Sequence, residues 1–273
     1  MNIENYSVLM SVYYKEKPDW LRVSLQSILN QTVLTNDIVI VKDGPIGDEL
    51  EAVLNEFANS YTGLFTFVSL PQNMGLGLAL AEGIQKCKNS LVARMDSDDI
   101  CAADRCEKEL KCFESDPNLK IVGCYEAEFS TSVDDAHTIH KVPESHNEIV
   151  TFMRKRCAIL HPTVMYRREA VIKVGNYRNV KLYEDYDLFS RLVFGGFKSY
   201  NIQEALYYIR INPDFYKRRG GWKYLKTVVK FKNGMRKNKY ISTMDFVISA
   251  GGQALVCLMP NRVRKWFYNT FLR

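Results

Sequence analysis

Asp96, Asp98 and Asp99 place three carboxylates within four residues, directly after the apolar run Leu91–Met95. Like charges held so close repel by on the order of a few kcal/mol, so a cation or a set of hydrogen bonds must compensate them. Hard oxygen donors of this kind favour Mg²⁺ or Mn²⁺, ions that keep positions open for water and phosphate oxygens. A solvated turn, with Asp99 capping a helix near Asp104, is the alternative for the same residues. Arg94 stands beside the cluster and suits either a phosphate or the carboxylates themselves.

Asp43, in Lys42-Asp43-Gly44-Pro45, follows another apolar run, Ile38–Val41. It is either a turn residue or a carboxylate placed to accept the imide N–H of a uracil ring. Tyr13, at the end of the run Ser7–Val12, offers a stacking face or a core aromatic. Asn73-Met74-Gly75-Leu76-Gly77 opens a helical pattern without matching Gly-x-Gly-x-x-Gly, and it follows the third apolar run, so a dinucleotide fingerprint is not supported. Its glycines serve a tight turn or the close approach of backbone to a nucleotide. Glu184-Asp185-Tyr186-Asp187 starts a further helical pattern with Leu188, Leu192 and Phe194. Acids in a first helical turn are favoured by the helix dipole, and a carboxylate there acts as a general base if it faces a crevice. His161, before Pro162, is either a loop histidine or a group facing a cleft.

The elements that carry these residues are legible from periodicity. Apolar runs at Ser7–Val12, Ile38–Val41, Phe65–Leu70 and Leu91–Met95 alternate with helical spacings at Trp20 to Leu29, Leu50 to Phe57 and Leu78 to Ile84. That pattern predicts an α/β fold with a mostly parallel sheet and helices on both faces. Ligands in such sheets sit beyond the carboxyl ends of the strands, where the acids fall. After about Asp116 the pattern is irregular, with strand pieces at Ile121–Cys124, Thr163–Tyr166 and near Phe197 and Leu206. Residues 1–116 and 117–214 are read as the two halves of one domain.

The 273 residues suffice for such a domain with a helical annex. Residues 215–273 hold 14 Lys and Arg against the single acid Asp245, a net +13, so the overall +6 leaves the first 214 residues at −7. A basic, helical C-terminal extension is expected, with helix around Trp222 to Phe231. Its longest uncharged apolar run, Phe246–Met259, has 14 residues, short of the roughly 20 that span a bilayer. It can lie on a membrane or pack on the domain. Seven cysteines without a Cys-x-x-Cys pair, and a start lacking an apolar segment, point to a reducing, cytoplasmic setting.

Taken in order, six segments resemble the family 2 glycosyltransferases of GT-A fold. They are Ser7 to Tyr14, Ser27 to Thr32, Val41-Lys42-Asp43-Gly44-Pro45, Asn73-Met74-Gly75, Met95-Asp96-Ser97-Asp98-Asp99 and Glu184 to Leu188. The resemblance implies transfer of a sugar from a nucleotide donor with inversion. It makes Tyr13 and Asp43 the base-binding pair, Asp96 a ribose or nucleotide contact, Asp98 the ligand of Mn²⁺ or Mg²⁺, and Asp185 the catalytic base. Ser11, Asn73, Gly75 and Arg94 complete the expected donor site; His161 and Glu184 stand on the acceptor side. Many members carry Asp-Asp-Gly-Ser where this chain has Lys42-Asp43-Gly44-Pro45, so Lys42 takes no donor role by analogy.

The variant and the basic tail look like bacterial transferases that build capsule or O-antigen repeat units. Such a resemblance implies a UDP-hexose donor, a lipid-diphosphate-linked acceptor and peripheral contact with the anionic cytoplasmic face of the inner membrane. Two other readings were weighed. A sugar-nucleotide pyrophosphorylase should carry a Gly-rich, basic loop after its first strand, which Ser11-Val12-Tyr13-Tyr14-Lys15 is not. A nucleic-acid-binding module using the tail is disfavoured by the acidic balance of residues 1–214, and no nucleic-acid partner is expected.

Overall fold

The computed structural model describes residues 4–211 and 221–259. The first half runs β1 (Tyr6–Val12), α1 (Pro18–Leu29), β2 (Asp37–Lys42), α2 (Asp48–Ser60), β3 (Phe65–Ser69), α3 (Leu76–Gly83) and β4 (Leu91–Asp96). β1 pairs in parallel with β2 and with β4, and β2 with β3. The second half adds β5 (Ile100–Cys101), α4 (Arg105–Ser115), β6 (Leu119–Phe129), β7 (Thr138–His140), α5 (His146–Met153), β8 (Met165–Arg167), α6 (Arg168–Lys173), α7 (Glu184–Phe194) and β9 (Lys198–Arg210). Together the described strands make one nine-stranded sheet in the order β3-β2-β1-β4-β8-β6-β9-β5, with β7 on the side of β6.

The uninterrupted apolar runs are explained by helices on both faces. Alternate β1 residues Val8, Met10 and Val12 pack with Leu21, Leu25, Leu50 and Leu54 from α1 and α2. Leu9, pointing the other way, joins Val39, Val92, Leu80 and Leu188. A strand buried on both faces needs no polar alternation. The two strand pieces expected near Phe197 and Leu206 are one 13-residue strand, β9. The polar pair Gln203-Glu204 falls where its register against β6 shifts around Tyr125, which hides its continuity in the sequence.

α8 (Trp222–Lys237) and α9 (Thr243–Leu258) follow as antiparallel helices; the Gly221 N–H donates to the Cys257 carbonyl at 3.1 Å. Ser242 and Asp245 form a capping box that starts α9. Val228 and Met235 of α8 and Ile241 of the connection are buried with residues of α7, and Phe246 of α9 is partly buried against the same cluster, so the helical pair packs on the α/β body. The expectations on Phe215 and on the aromatic and basic residues beyond Met259 lie outside the described residues.

Candidate active site

Parallel register brings the ends of three strands together. Val12 stands opposite Lys42, and Ser11 lies beside both Val41 and Asp96. Residues 85 positions apart thereby share one edge of the sheet. The Asp43 carboxylate, just past β2, accepts the N–H groups of Met74 at 2.6 Å and Gly75 at 3.0 Å. Asn73 Nδ2 donates to the Asp43 carbonyl at 3.3 Å. Two motifs that are separate in the sequence are thus one unit, with Asp43 as its anchor. A carboxylate has about four acceptor positions, so capacity remains for a base N–H. Gly44 adopts φ +85°, and a Cβ there would meet Asn73 N at 2.6 Å, which leaves glycine as the residue that fits. Tyr13 is 38% exposed and edge-on to Tyr14, with centroids 5.9 Å apart, leaving surface for a stacked ring.

Arg94 answers one of the open alternatives. It is 1% exposed and forms a two-point pair with Asp96, Nη1 to Oδ2 at 2.7 Å and Nη2 to Oδ1. It therefore holds a carboxylate from behind instead of reaching a diphosphate, a correction to its expected place in the donor site. Asp96 is fixed further by its N–H donating to Tyr207 Oη at 3.1 Å and its carbonyl accepting Ser24 Oγ at 2.8 Å. Asp99 does not cap a helix; α4 has Asp104 as N-cap, and Asp99 accepts the Arg210 N–H at 2.7 Å.

Two members of this site were not anticipated. Arg210 Nε donates to the Asp98 carbonyl at 2.9 Å while its guanidinium covers Trp20 at 4.8 Å and Phe129 at 4.4 Å. Its signal is its position at the end of β9, which the shifted register hides in the sequence. Glu16 accepts Ser97 Oγ at 2.6 Å, and burial pushes its carboxyl up.

Asp98 is half-buried, and its carboxyl is pushed up to about 7, first by burial and then by the charges of Asp96 and Glu16. Arg94 and Arg210 offset that rise only in part, so the ionised form would gain from a further cation. A hard divalent ion fits this donor chemistry. Among the described residues no three Asp, Glu, His or Cys side chains converge as a preformed ligand set. An ion at Asp98 would take its remaining ligands from the bound donor and from water.

The second acidic motif begins α7. Burial, then neighbouring Asp185, raises the Glu184 carboxyl, and the positive field of Arg94 opposes both. The same guanidinium opposes the rise at Asp98. Asp187 belongs to the scaffold. Arg191 binds it at 2.7 Å and also donates to the carbonyls of Val174 at 2.6 Å and Asn176 at 2.8 Å. Gly77 lets α3 meet the start of α7, since a Cβ there would lie 2.8 Å from Glu184 Cβ. Leu182, two residues before Glu184, takes φ +68°, a strained conformation for a leucine.

α8 grips both sides of the acid pair. Phe231 stacks on Tyr183 at 4.5 Å and packs on Tyr186 at 5.1 Å. Lys232, 1% exposed, donates to Tyr186 Oη at 2.8 Å and to the Lys155 carbonyl at 2.9 Å. Burial brings its ammonium down to about 8. A lysine in so basic a tail reads as a surface residue, so the sequence held no signal for this role. His161 is corrected too. It is 9% exposed, its Nε2 lies 3.0 Å from Tyr177 Oη, and burial keeps the ring neutral. It is a satisfied core histidine and faces no acceptor.

Residues 7–175 match the model of Glycosyl transferase family 2. The chain is a family 2 glycosyltransferase. The transferase is 38% identical to an uncharacterized glycosyltransferase of Haemophilus influenzae, over 98% of this chain and 99% of that one. It is 35% identical to the UDP-Gal:alpha-D-GlcNAc-diphosphoundecaprenol beta-1,3-galactosyltransferase of Escherichia coli, over 98% and 96%. With the amylovoran biosynthesis glycosyltransferase AmsE of Erwinia amylovora it shares 34% over 96% and 97%. Its fold matches a Pyrobaculum calidifontis mannosyltransferase in complex with GDP-Man and Mn²⁺, with a TM-score of 0.65 at 13% identity over 96% of this chain and 72% of that one. S. aureus TarS 1-349 in complex with UDP-GlcNAc gives 0.64 at 14%, over 98% and 71%. These likenesses establish the GT-A transferase fold of the enzyme.

Proposed function

We propose that the transferase moves a hexose from a UDP-sugar, with inversion, to a hydroxyl of a lipid-diphosphate-linked glycan in surface-polysaccharide assembly. The carrying observation is the convergence of the ends of β1, β2 and β4, which brings Ser11, Asp43 and Asp96 to one sheet edge directly before Asp98. The near full-length relationship to the Escherichia coli galactosyltransferase supports the substrate classes. In this reading Asp43 and Tyr13 hold the base, and Arg94 holds the Asp96 carboxylate in place for the ribose. Asp185 takes the acceptor hydroxyl proton as that oxygen bonds to the anomeric carbon and the bond to the diphosphate breaks. Mg²⁺ or Mn²⁺ at Asp98 would supply neutralisation of charge on the departing diphosphate. One displacement inverts configuration, so an α-linked donor gives a β-linked product. The anomeric coupling constant of the product by NMR is the check, and retention of configuration overturns the mechanism.

The enzyme is further proposed to sit on the cytoplasmic face of an anionic membrane. No described helix is long and apolar enough to cross a bilayer. α9 instead exposes Met244, Val247, Ile248 and Leu255, a stripe at helical spacing, and Trp222 of α8 is exposed beside its far end. Apolar residues flanked by Lys and Arg suit an interfacial helix. Full-length protein is expected to float with anionic liposomes, release as salt rises, and bind less when Ile248 and Leu255 become Ser. Absence of flotation at low salt overturns this placement.

A further inference from the structure

Two adjoining cavities open beside the acid pair. The first, about 410 Å³, lies between residues 73–78 and 178–182 and reaches Glu184. The second, about 510 Å³, shares the wall of residues 179–181 and continues to the α8 face that carries Lys226 and Lys230. Arg178 and Lys181 line the first, and Lys181, Lys226 and Lys230 the second. Among the described residues none of these four cations has an ion-pair partner, in a protein whose described surface holds many such pairs. The acids in the two cavities are Glu184 and Asp187, and Asp187 is already bound by Arg191. Arg178 is laid over Gly175, where a Cβ would be 3.2 Å from its Nη2, so its planar fork is supported from beneath. Concave surfaces with unmatched cations attract polyanions, and a guanidinium fork suits phosphate oxygens.

We infer that this channel binds the diphosphate of the lipid-linked acceptor. The donor diphosphate is assigned to Asp98, and the first cavity meets the donor-side loop at Asn73 and Gly75 on one wall and Arg178 and Lys181 on the other. In an acceptor sugar one ring separates the attacked hydroxyl from the anomeric diphosphate. With the hydroxyl at Asp185, the diphosphate falls one ring away, in the cavity that Glu184 borders. Arg178 and Lys181 then take the diphosphate, and Lys226 and Lys230 extend the positive wall along α8. This deepens the proposed function and rests on Asp185 as the base.

The test compares three acceptor probes, a short-alkyl N-acetylhexosaminyl diphosphate, its monophosphate and the neutral alkyl glycoside. Wild type is expected to prefer the diphosphate. Arg178→Gln with Lys181→Gln should raise the KM for the diphosphate about tenfold or more, the loss expected for charge-assisted contacts, and leave the neutral glycoside unchanged. UDP affinity by calorimetry should stay within twofold. An equal fall in UDP affinity would assign the channel to the donor and overturn the inference, as would a diphosphate preference that survives the substitutions. If wild type transfers to none of the probes, the acceptor reading fails by itself. Calorimetry with the alkyl diphosphate alone then still decides, since binding unaffected by the double substitution overturns the channel and lost binding upholds it. All four cations are exposed or half-buried, so the variants should melt like wild type.

Discussion

Asp185→Asn is expected to lower turnover by roughly 10²-fold or more while UDP affinity stays near that of wild type. The amide matches the carboxylate in shape and cannot take the acceptor proton. Its surroundings should not move, because Tyr183 and Tyr186 on either side are held by Phe231 and Lys232 of α8. Single-turnover rates with a saturating acceptor, next to UDP calorimetry, separate the two quantities. Near-normal turnover would remove Asp185 from the role. Glu184 would then be the next candidate, because Asp187 is tied to Arg191 and to the scaffold.

Asp98→Ala should abolish the part of UDP affinity that depends on Mn²⁺ or Mg²⁺. Without the ion the diphosphate would meet the negative field of Asp96 and Glu16, the same field that raises the Asp98 carboxyl. Stability gives an independent sign. Burial, Asp96 and Glu16 all disfavour charge at Asp98, so removing that charge relieves repulsion. The variant is therefore expected to melt at or above the wild-type temperature without added metal. Calorimetric titration of UDP with and without Mn²⁺, alongside a melting curve, tests both halves. Metal-dependent affinity equal to wild type would move the ion elsewhere, and a lower melting temperature would mean that Asp98 is a structural acid.

The contrast between Asp98 and Asp96 shows why a motif needs its surroundings. Both are acids at the end of β4, and nothing in Met95-Asp96-Ser97-Asp98-Asp99 ranks them. The Arg94 guanidinium binds the Asp96 carboxylate, the Arg210 backbone N–H holds the Asp99 carboxylate, and the Asp98 carboxyl is pushed up by burial and by its acidic neighbours. Likewise Glu184, Asp185 and Asp187 read as equals in a first helical turn. A guanidinium four residues along α7 removes Asp187 from the chemistry.

The alternation of β1 to β4 with α1 to α3 is legible in the residues themselves, because strands buried on both faces must be apolar throughout and helices beside them must be apolar on one stripe. So is the choice of strand ends that carry acids, and hence the sheet edge to which the nucleotide sugar is assigned. Those are local properties, set by residues within a few positions of one another. The tertiary structure alone decided what depends on distant partners: that Asp43 anchors the loop at Gly75, that Arg94 is buried behind Asp96, that His161 is core, and that Lys232 of the basic C-terminal region braces the acid pair. A charge reads the same in the sequence whether it faces water or a carboxylate. Only packing fixes its partner, and the partner sets its chemistry.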